Sequence, residues 1–447
     1  MPSFVRKSPW TYHLLHILFT AAISTALATE ERRDLLGSIL PGLGSDATNA
    51  VAVANALING IEATVPLTTL TSPEQALSTL ARIFNTTTNF LDTIPALIAA
   101  SFDPRDIEKI VEGFSPALNS FNNRNPAPPK TIYPIAAPGD APYTVSEAAL
   151  RSAIYIPSTF TYGAKPPVLL FPGTGIPGGS MFSYNYGTQL AKLPNADPLW
   201  VNVPGISLGD AQVTAEYAAY AINYIAAITR RNVTVVSHSQ GSLNVQWALK
   251  YWPSTRSVIT DYVALSPDFH GTVLTILICP ASLPILGCTP AILQQKVDSE
   301  FVQTLLANGG DSAYVRTTTV RSAIDMVVQP QTGVEPSGVL KDARNVGVKN
   351  YLVQTECPIA PAGLLVTHQG IIYNSLAYDL VLDVLDNGGP GEVSRLDLGK
   401  TCSRIVAQGQ TLEDLVAAEA TLVLFYLNFL KYEPRAFVEP PIMSYAA

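Results

Sequence analysis

The sequence predicts an α/β domain, a mostly parallel, doubly wound sheet with helices on both faces, preceded by a helical N-terminal region. Three observations predict it. From about residue 138, short β-rich apolar runs alternate with helical segments, and apolar strands separated by helices imply parallel pairing buried on both sides. Two of these runs end in turns of small residues, "PGTGIPGG" and "SHSQG", and ligands in this architecture sit beyond the C-terminal strand ends. Residues 47–120, by contrast, carry only the three-to-four apolar spacing of helices.

At the N-terminus, Arg6 and Lys7 precede an apolar run over 14–24 and the small-residue stretch Ala26-Leu27-Ala28. This pattern predicts a secretory signal peptide over residues 1–28, with an apolar core too short to span a membrane. Its removal takes two cations and no acid from a chain of net charge −8. An acidic surface argues against nucleic acid or anionic membrane as the main partner. Arg32-Arg33 fits a dibasic processing signal and an exposed charge pair equally well. Four cysteines, Cys279, Cys288, Cys357 and Cys402, remain in a secreted chain, so two disulfides are expected, with three pairings open. No C-x-x-C pair occurs, which argues against a structural zinc site. Two glycosylation sequons occur, at Asn85 and Asn232. The second runs into an apolar strand pattern and is expected to be buried, leaving Asn85 as the acceptor.

Helical segments over 47–120 start at Ser72-Pro73-Glu74 and Asp103-Pro104 and contain no histidine or cysteine. They end in "FNNRNPAPPK" (121–130), a polar, Pro-rich linker. Residues 29–130 are therefore expected to form a helical pro-region or accessory domain, and 131–447 the α/β domain. There, strands are expected at 167–171, 199–203, 233–237, 261–266, 313–320 and 350–355, with helices over 215–230 and 242–252 between them. A last helix opens at a Thr411-x-x-Asp414 cap and runs to about Tyr432. Glu419 interrupts its apolar run, so it is expected to be a buried core helix rather than a membrane span.

Ser239 stands between a β-branched strand and a helix, where a nucleophile elbow lifts a serine oxygen clear of the sheet. The usual G-x-S-x-G reads Ser237-x-Ser239-x-Gly241 here. Both flanking residues are small, as the crowded turn demands. A serine nucleophile needs a base, and histidine suits that role near neutral pH. Beyond the signal peptide the chain has only His238, His270 and His368. His238 adjoins Ser239 and approaches from the wrong side, while His270 follows the strand after the elbow, too early for the order Ser, acid, His. His368 fits that order. The acid must leave a strand end between them, and Asp325, flanked by apolar residues after strand 313–320, needs a partner such as the His368 imidazole.

"LLFPGTGIPGG" (169–179) follows the first core strand, where the second oxyanion donor sits in such a fold. No Gly-Lys-Ser/Thr follows, which excludes a P-loop. Gly173, Gly175 and Gly178 do spell the dinucleotide fingerprint. However, Pro177 and "GGSMFSYNYG" make a poor helix start, and Asp197 precedes the next strand instead of ending it.

Together these residues make the chain resemble the fungal lipase B family of α/β-hydrolases. The resemblance covers roughly 138–440 and rests on "LLFPGTG", "QVTAEY", "SQGSLNVQWAL", "LSPDFHGTVL", "ILQQ", "DMVVQPQTG" and the "VTHQG" turn. It implies Ser239 as nucleophile, Asp325 as orienting acid and His368 as base, with Thr174 and Gln240 forming the oxyanion hole. It also implies that Asp268 and Gln295 line the acyl side of the pocket. The same resemblance pairs Cys357 with Cys402, leaving Cys279–Cys288 to clip the segment where the family places a mobile entrance helix. The family's tryptophan before the nucleophile is His238 here, so the substrate pocket has a polar or reshaped floor on its alcohol side. The family's other two disulfides have no cysteines here, and the N-terminal helices have no counterpart in the mature lipase.

The expected function is that of a secreted serine hydrolase of carboxylic esters, foremost acylglycerols, working through an acyl-enzyme without metal or cofactor. Transient contact with a lipid–water interface is expected, and no transmembrane segment. The alternative is a carboxylesterase or acyltransferase for a non-glyceride metabolite.

Overall fold

The computed structural model describes residues 50–87, 89–111, 113–279 and 286–447. The signal peptide, the Arg32-Arg33 pair and the middle of the entrance segment lie outside the described residues. The chain divides into two compact units, Met1–Ala63 and Thr64–Ala447. In the first, the described part is helix α1 (Ala50–Ala63), which the alanine-rich spacing predicts.

The second unit is built on a seven-stranded sheet: β1 (Ile154–Tyr155), β2 (Pro167–Phe171), β3 (Asp197–Val201), β4 (Val233–His238), β5 (Ile259–Leu265), β6 (Thr317–Arg321) and β7 (Val348–Leu352). The order is β1-β3-β2-β4-β5-β6-β7. Only β1 runs antiparallel, against β3; every other neighbour is parallel. Every residue of β2, β3 and β4 is buried, which is why these strands show no in/out alternation; the polar residues among them, Asp197, Thr234, Ser237 and His238, are buried with the rest. From β2 the chain moves to β3 on one side and then to β4 on the other. The topological switch thus falls between β2 and β4, and their C-terminal ends frame the site.

The longer helices of this unit are α2 (Pro73–Thr86), α3 (Phe90–Ala99), α4 (Ala211–Thr229), α5 (Gln240–Tyr251), α6 (Ser375–Asn387) and α7 (Leu412–Lys431). Asp210 caps α4, accepting from the Gln212 N–H at 2.8 Å. α4 and α5 bury Tyr220, Tyr224 and Trp247 in the main core. α7 starts at the expected capping box, with Thr411 and Asp414 bonding each other's backbone N–H. Among the described residues no helix is long and apolar enough to cross a membrane.

Residues 64–120 pack on this domain directly. Phe90 of α3 stacks on Tyr426 of α7 with ring centroids 5.8 Å apart. The Leu118 carbonyl accepts from Trp200 Nε1 and from Asn202 Nδ2, both at 2.9 Å. Contrary to expectation, a short helix does open at Gly178 (Gly178–Phe182). It can do so because Gly178 and Gly179 fit where any Cβ would stand 2.4 Å from the Val201 or Leu118 carbonyl. Asp197 lies inside β3, and its Oδ2 accepts from the Thr161 N–H and hydroxyl at 2.7 Å, so it serves a loop and faces no ribose site.

Candidate active site

The site begins at the end of β4. Ser239 has φ 54° and ψ −134° and no side-chain cap bond to α5, a left-handed conformation that costs a non-glycine residue energy and is retained where the turn has a use. Gly241 is forced by space, since a Cβ there would stand 2.5 Å from the Pro172 carbonyl at the end of β2. Ser237 replaces the usual first glycine without penalty. Its hydroxyl is buried 2.8 Å from Ser242 Oγ and 2.9 Å from Tyr262 Oη, so the extra polar atom is satisfied.

Asp325 lies in the loop after β6 and His368 in the loop after β7. His368 Nδ1 donates to Asp325 Oδ2 at 2.7 Å, with both side chains buried. Asp325 Oδ1 accepts the Val327 and Val328 N–H groups, each at 2.8 Å, which fixes the carboxylate before histidine binds it. His238 reaches the same loop from the other side. Its Nε2 donates to the His368 carbonyl at 3.0 Å, and the two rings lie 4.7 Å apart. A carbonyl only accepts, so His238 carries its proton on Nε2 and leaves Nδ1 as a bare lone pair, buried and unpartnered. Burial, followed by repulsion from His368, holds its pKa well below the usual histidine value.

Ser239, His368, His238, Thr174 and Gln295 line one cavity of about 30 Å³, closed on its apolar side by Ile176, Met181, Leu422 and Phe425 among others. Thr174 Oγ1 donates to Gln240 Oε1 at 2.5 Å, and Gln295 Nε2 donates to the same oxygen at 3.2 Å. The backbone N–H groups of Thr174 and Gln240 have no hydrogen-bond acceptor among the described residues. Asp268 differs from expectation: it is absent from this wall and fully buried, with neither carboxylate oxygen hydrogen-bonded. Burial pushes its carboxyl up to about 7, with His368 opposing and Asp325 reinforcing the shift.

Cys357 pairs with Cys402 and Cys279 with Cys288. Among the described residues no group of three His, Cys, Asp or Glu is placed to hold a metal ion. Asn85 is exposed on the last turn of α2, but Asn232 is exposed as well. It occupies the turn before β4, and burial begins one residue later. Sequence reasoning missed two contacts of the histidine loop, the His238 bond to its carbonyl and the contact of Glu419 with Thr367. The available signal for the latter was an acid inside an apolar helix, which burial makes costly unless it is bonded.

A strained serine on a strand–turn–helix at the switch point of this sheet, with an acid–histidine pair following in chain order, defines an α/β-hydrolase. No family model matches the chain. It is 32% identical over 313 residues to lipase B of Pseudozyma antarctica, covering 68% of this chain and 85% of that protein. The solved structure of Aspergillus fumigatus lipase B is 44% identical, with a TM-score of 0.82, and the match covers 93% of this chain and 99% of that one. The chain belongs to the lipase B family, and it is a serine hydrolase of carboxylic esters. The coverage of the Aspergillus structure exceeds what residues 131–447 could supply, so that protein also matches part of the N-terminal region.

Proposed function

We propose that the chain is a secreted lipase of the triacylglycerol type in which Ser239, Asp325 and His368 form the catalytic triad. The observation that carries this is the buried 2.7 Å His368–Asp325 bond in a loop whose histidine lines one cavity with Ser239. His368 Nε2 takes the Ser239 proton as Oγ attacks the ester carbonyl, and Asp325 holds the other nitrogen and favours the imidazolium that forms. The carbonyl oxygen becomes an oxyanion, facing the N–H groups of Gln240 and Thr174 at the positive end of α5. The Thr174 hydroxyl joins them by turning away from Gln240 Oε1. His368 then protonates the leaving alcohol, leaving the acyl group on Ser239. A water, deprotonated by the same nitrogen, attacks that ester and releases the fatty acid.

Secretion is supported by the apolar N-terminal segment and by the two disulfides, which persist in oxidising compartments. Residues 64–130 read as an accessory layer rather than a removable pro-region, because Phe90 stacks on Tyr426 of α7 and the Leu118 carbonyl is bonded by Trp200 and Asn202 of the hydrolase domain. The experiment is stoichiometric labelling with a fluorophosphonate, compared in the wild type and Ser239→Ala, followed by rates on long emulsified against short soluble esters. Labelling lost in Ser239→Ala, with higher rates on the emulsion, is the expected result. An unlabelled wild type rejects the catalytic assignment. The second reading, an esterase or acyltransferase for a small non-glyceride ester, is favoured by the polar His238 ring lining the cavity beside Ser239, and a preference for short soluble esters selects it.

A further inference from the structure

Glu419 lies in the second turn of α7, a helix whose neighbouring residues Leu415, Val416, Ala417, Ala418, Ala420 and Leu422 are all buried and uncharged. A carboxyl in such a place is unfavourable unless its oxygens are bonded. Both bonds it has come from the loop that carries His368. The Thr367 hydroxyl donates to Glu419 Oε1, and Tyr373 Oη donates to the same oxygen at 2.7 Å. Thr367 Oγ in turn accepts the Gly370 N–H at 2.6 Å, closing a tight turn around His368. Glu419 Oε2 is buried without a partner. The acid therefore grips both ends of the turn that presents the histidine, 51 residues away in the chain from His368.

We propose that Glu419 is a positioning residue for His368: through Thr367 and Tyr373 it fixes the histidine turn, and its carboxylate favours the imidazolium formed during catalysis. This rests on the reading of His368 as the base. Its placement alone would also serve as a structural clamp, but the charge distinguishes the two roles. Burial pushes the Glu419 carboxyl up to about 7, while the two hydroxyl donors and His368 pull it back down. The acid thus changes charge in the range where a histidine base works. The titratable groups facing it are His368 and Tyr373 from the loop and Tyr184 from the segment before β3, which also senses Asp414 on α7 itself. No lysine or arginine among the described residues contributes to its charge state.

The test compares Glu419→Gln, Thr367→Val and Thr367→Ser with the wild type on a soluble ester across pH, with rates expressed per Ser239 titrated by a fluorophosphonate. Glu419→Gln keeps the shape and one acceptor oxygen but removes the charge. Without that charge the imidazolium is less favoured, so the acid limb of kcat/KM moves to lower pH, by about 0.5 to 1 unit. Thr367→Val cuts kcat about tenfold with KM little changed, and Thr367→Ser restores it. An acid limb in Glu419→Gln that superimposes on the wild type overturns the proposal, as does an unchanged kcat in Thr367→Val. Should Glu419→Gln not fold, the kcat of Thr367→Val against Thr367→Ser decides. A wild type that takes no label refutes the hydrolase assignment itself and is recognised before any variant is compared.

Discussion

Gly173 sits against Ser239 so closely that a Cβ on residue 173 would stand 2.8 Å from the serine Cβ and 3.2 Å from the His238 carbonyl. The end of β2 and the elbow of β4 are thus in contact through a missing side chain. Gly173→Ala must push Ser239 or the Thr174 N–H out of line. Displacements of about 1 Å at reacting groups cost about 100-fold in rate. We expect kcat/KM on a soluble ester to fall by about that factor while circular dichroism stays native. Full activity in this variant would mean that the two turns are free to separate.

Ser237 tests the opposite case, an elbow position where the side chain is wanted. Its hydroxyl joins Ser242 and Tyr262 in a buried triangle. Ser237→Gly restores the usual motif and yet should lower stability by about 1–3 kcal/mol, since it leaves buried hydroxyls short of a partner and adds backbone freedom. Activity should remain within a few-fold of the wild type. Denaturant unfolding measures the first and ester hydrolysis the second. A gain in stability would show that serine here is merely tolerated.

The strands were legible because parallel, doubly covered strands are rich in apolar and β-branched residues, as in "PVLLF" of β2 and "VTVV" of β4. Even so, the boundaries moved. The runs at 199–203 and 313–320 became β3 at 197–201 and β6 at 317–321, because a strand ends where its neighbour's register ends and not where hydropathy changes. β1, two residues long and antiparallel, has no pattern to read. At the site, chain order and the scarcity of histidine single out Ser239, Asp325 and His368. Contacts made sideways between loops were not legible: His238 with the His368 carbonyl, and Glu419 with Thr367, join residues 130 and 52 positions apart. Asp268 is expected on the pocket wall by resemblance, whereas its carboxyl is fully buried and is not among the residues lining the cavity with Ser239.

The two disulfides close loops of different length, 45 residues for Cys357–Cys402 and 9 for Cys279–Cys288. Loop-closure entropy in the unfolded chain grows with the logarithm of that length, giving about 4 kcal/mol for the longer and about 2.6 for the shorter. Cys357→Ser/Cys402→Ser should therefore lower the unfolding midpoint more than Cys279→Ser/Cys288→Ser. The longer bridge also ties the segment leading to the His368 loop to the short helix before α7. Its loss should for that reason reduce activity before global unfolding, seen as inactivation at a temperature below the loss of near-UV circular dichroism. Coincident transitions would show that the bridge acts on the whole fold alone.

Asp268 makes stability depend on pH in an unusual direction. Its carboxyl titrates at about 7 in the fold against an ordinary value of 3.8. Between those limits the folded chain holds a proton that the unfolded chain has released, so stability falls as pH rises through this window and levels off above it. Glu419, at about 7 against 4.5, acts with the same sign. His238 opposes them: its folded value is depressed, so below pH 6.5 the unfolded chain takes a proton that the fold refuses, and stability is lost as pH falls. From pH 6.5 down to about 4.5 the two acids outweigh the one histidine, and these three groups favour mildly acidic conditions. Asp268→Asn removes the ionisation. It should raise stability at pH 8 by up to about 4 kcal/mol, with little change at pH 4. Urea midpoints at the two pH values decide it, and a variant no more stable than the wild type at pH 8 would mean that water or a cation already compensates the buried charge.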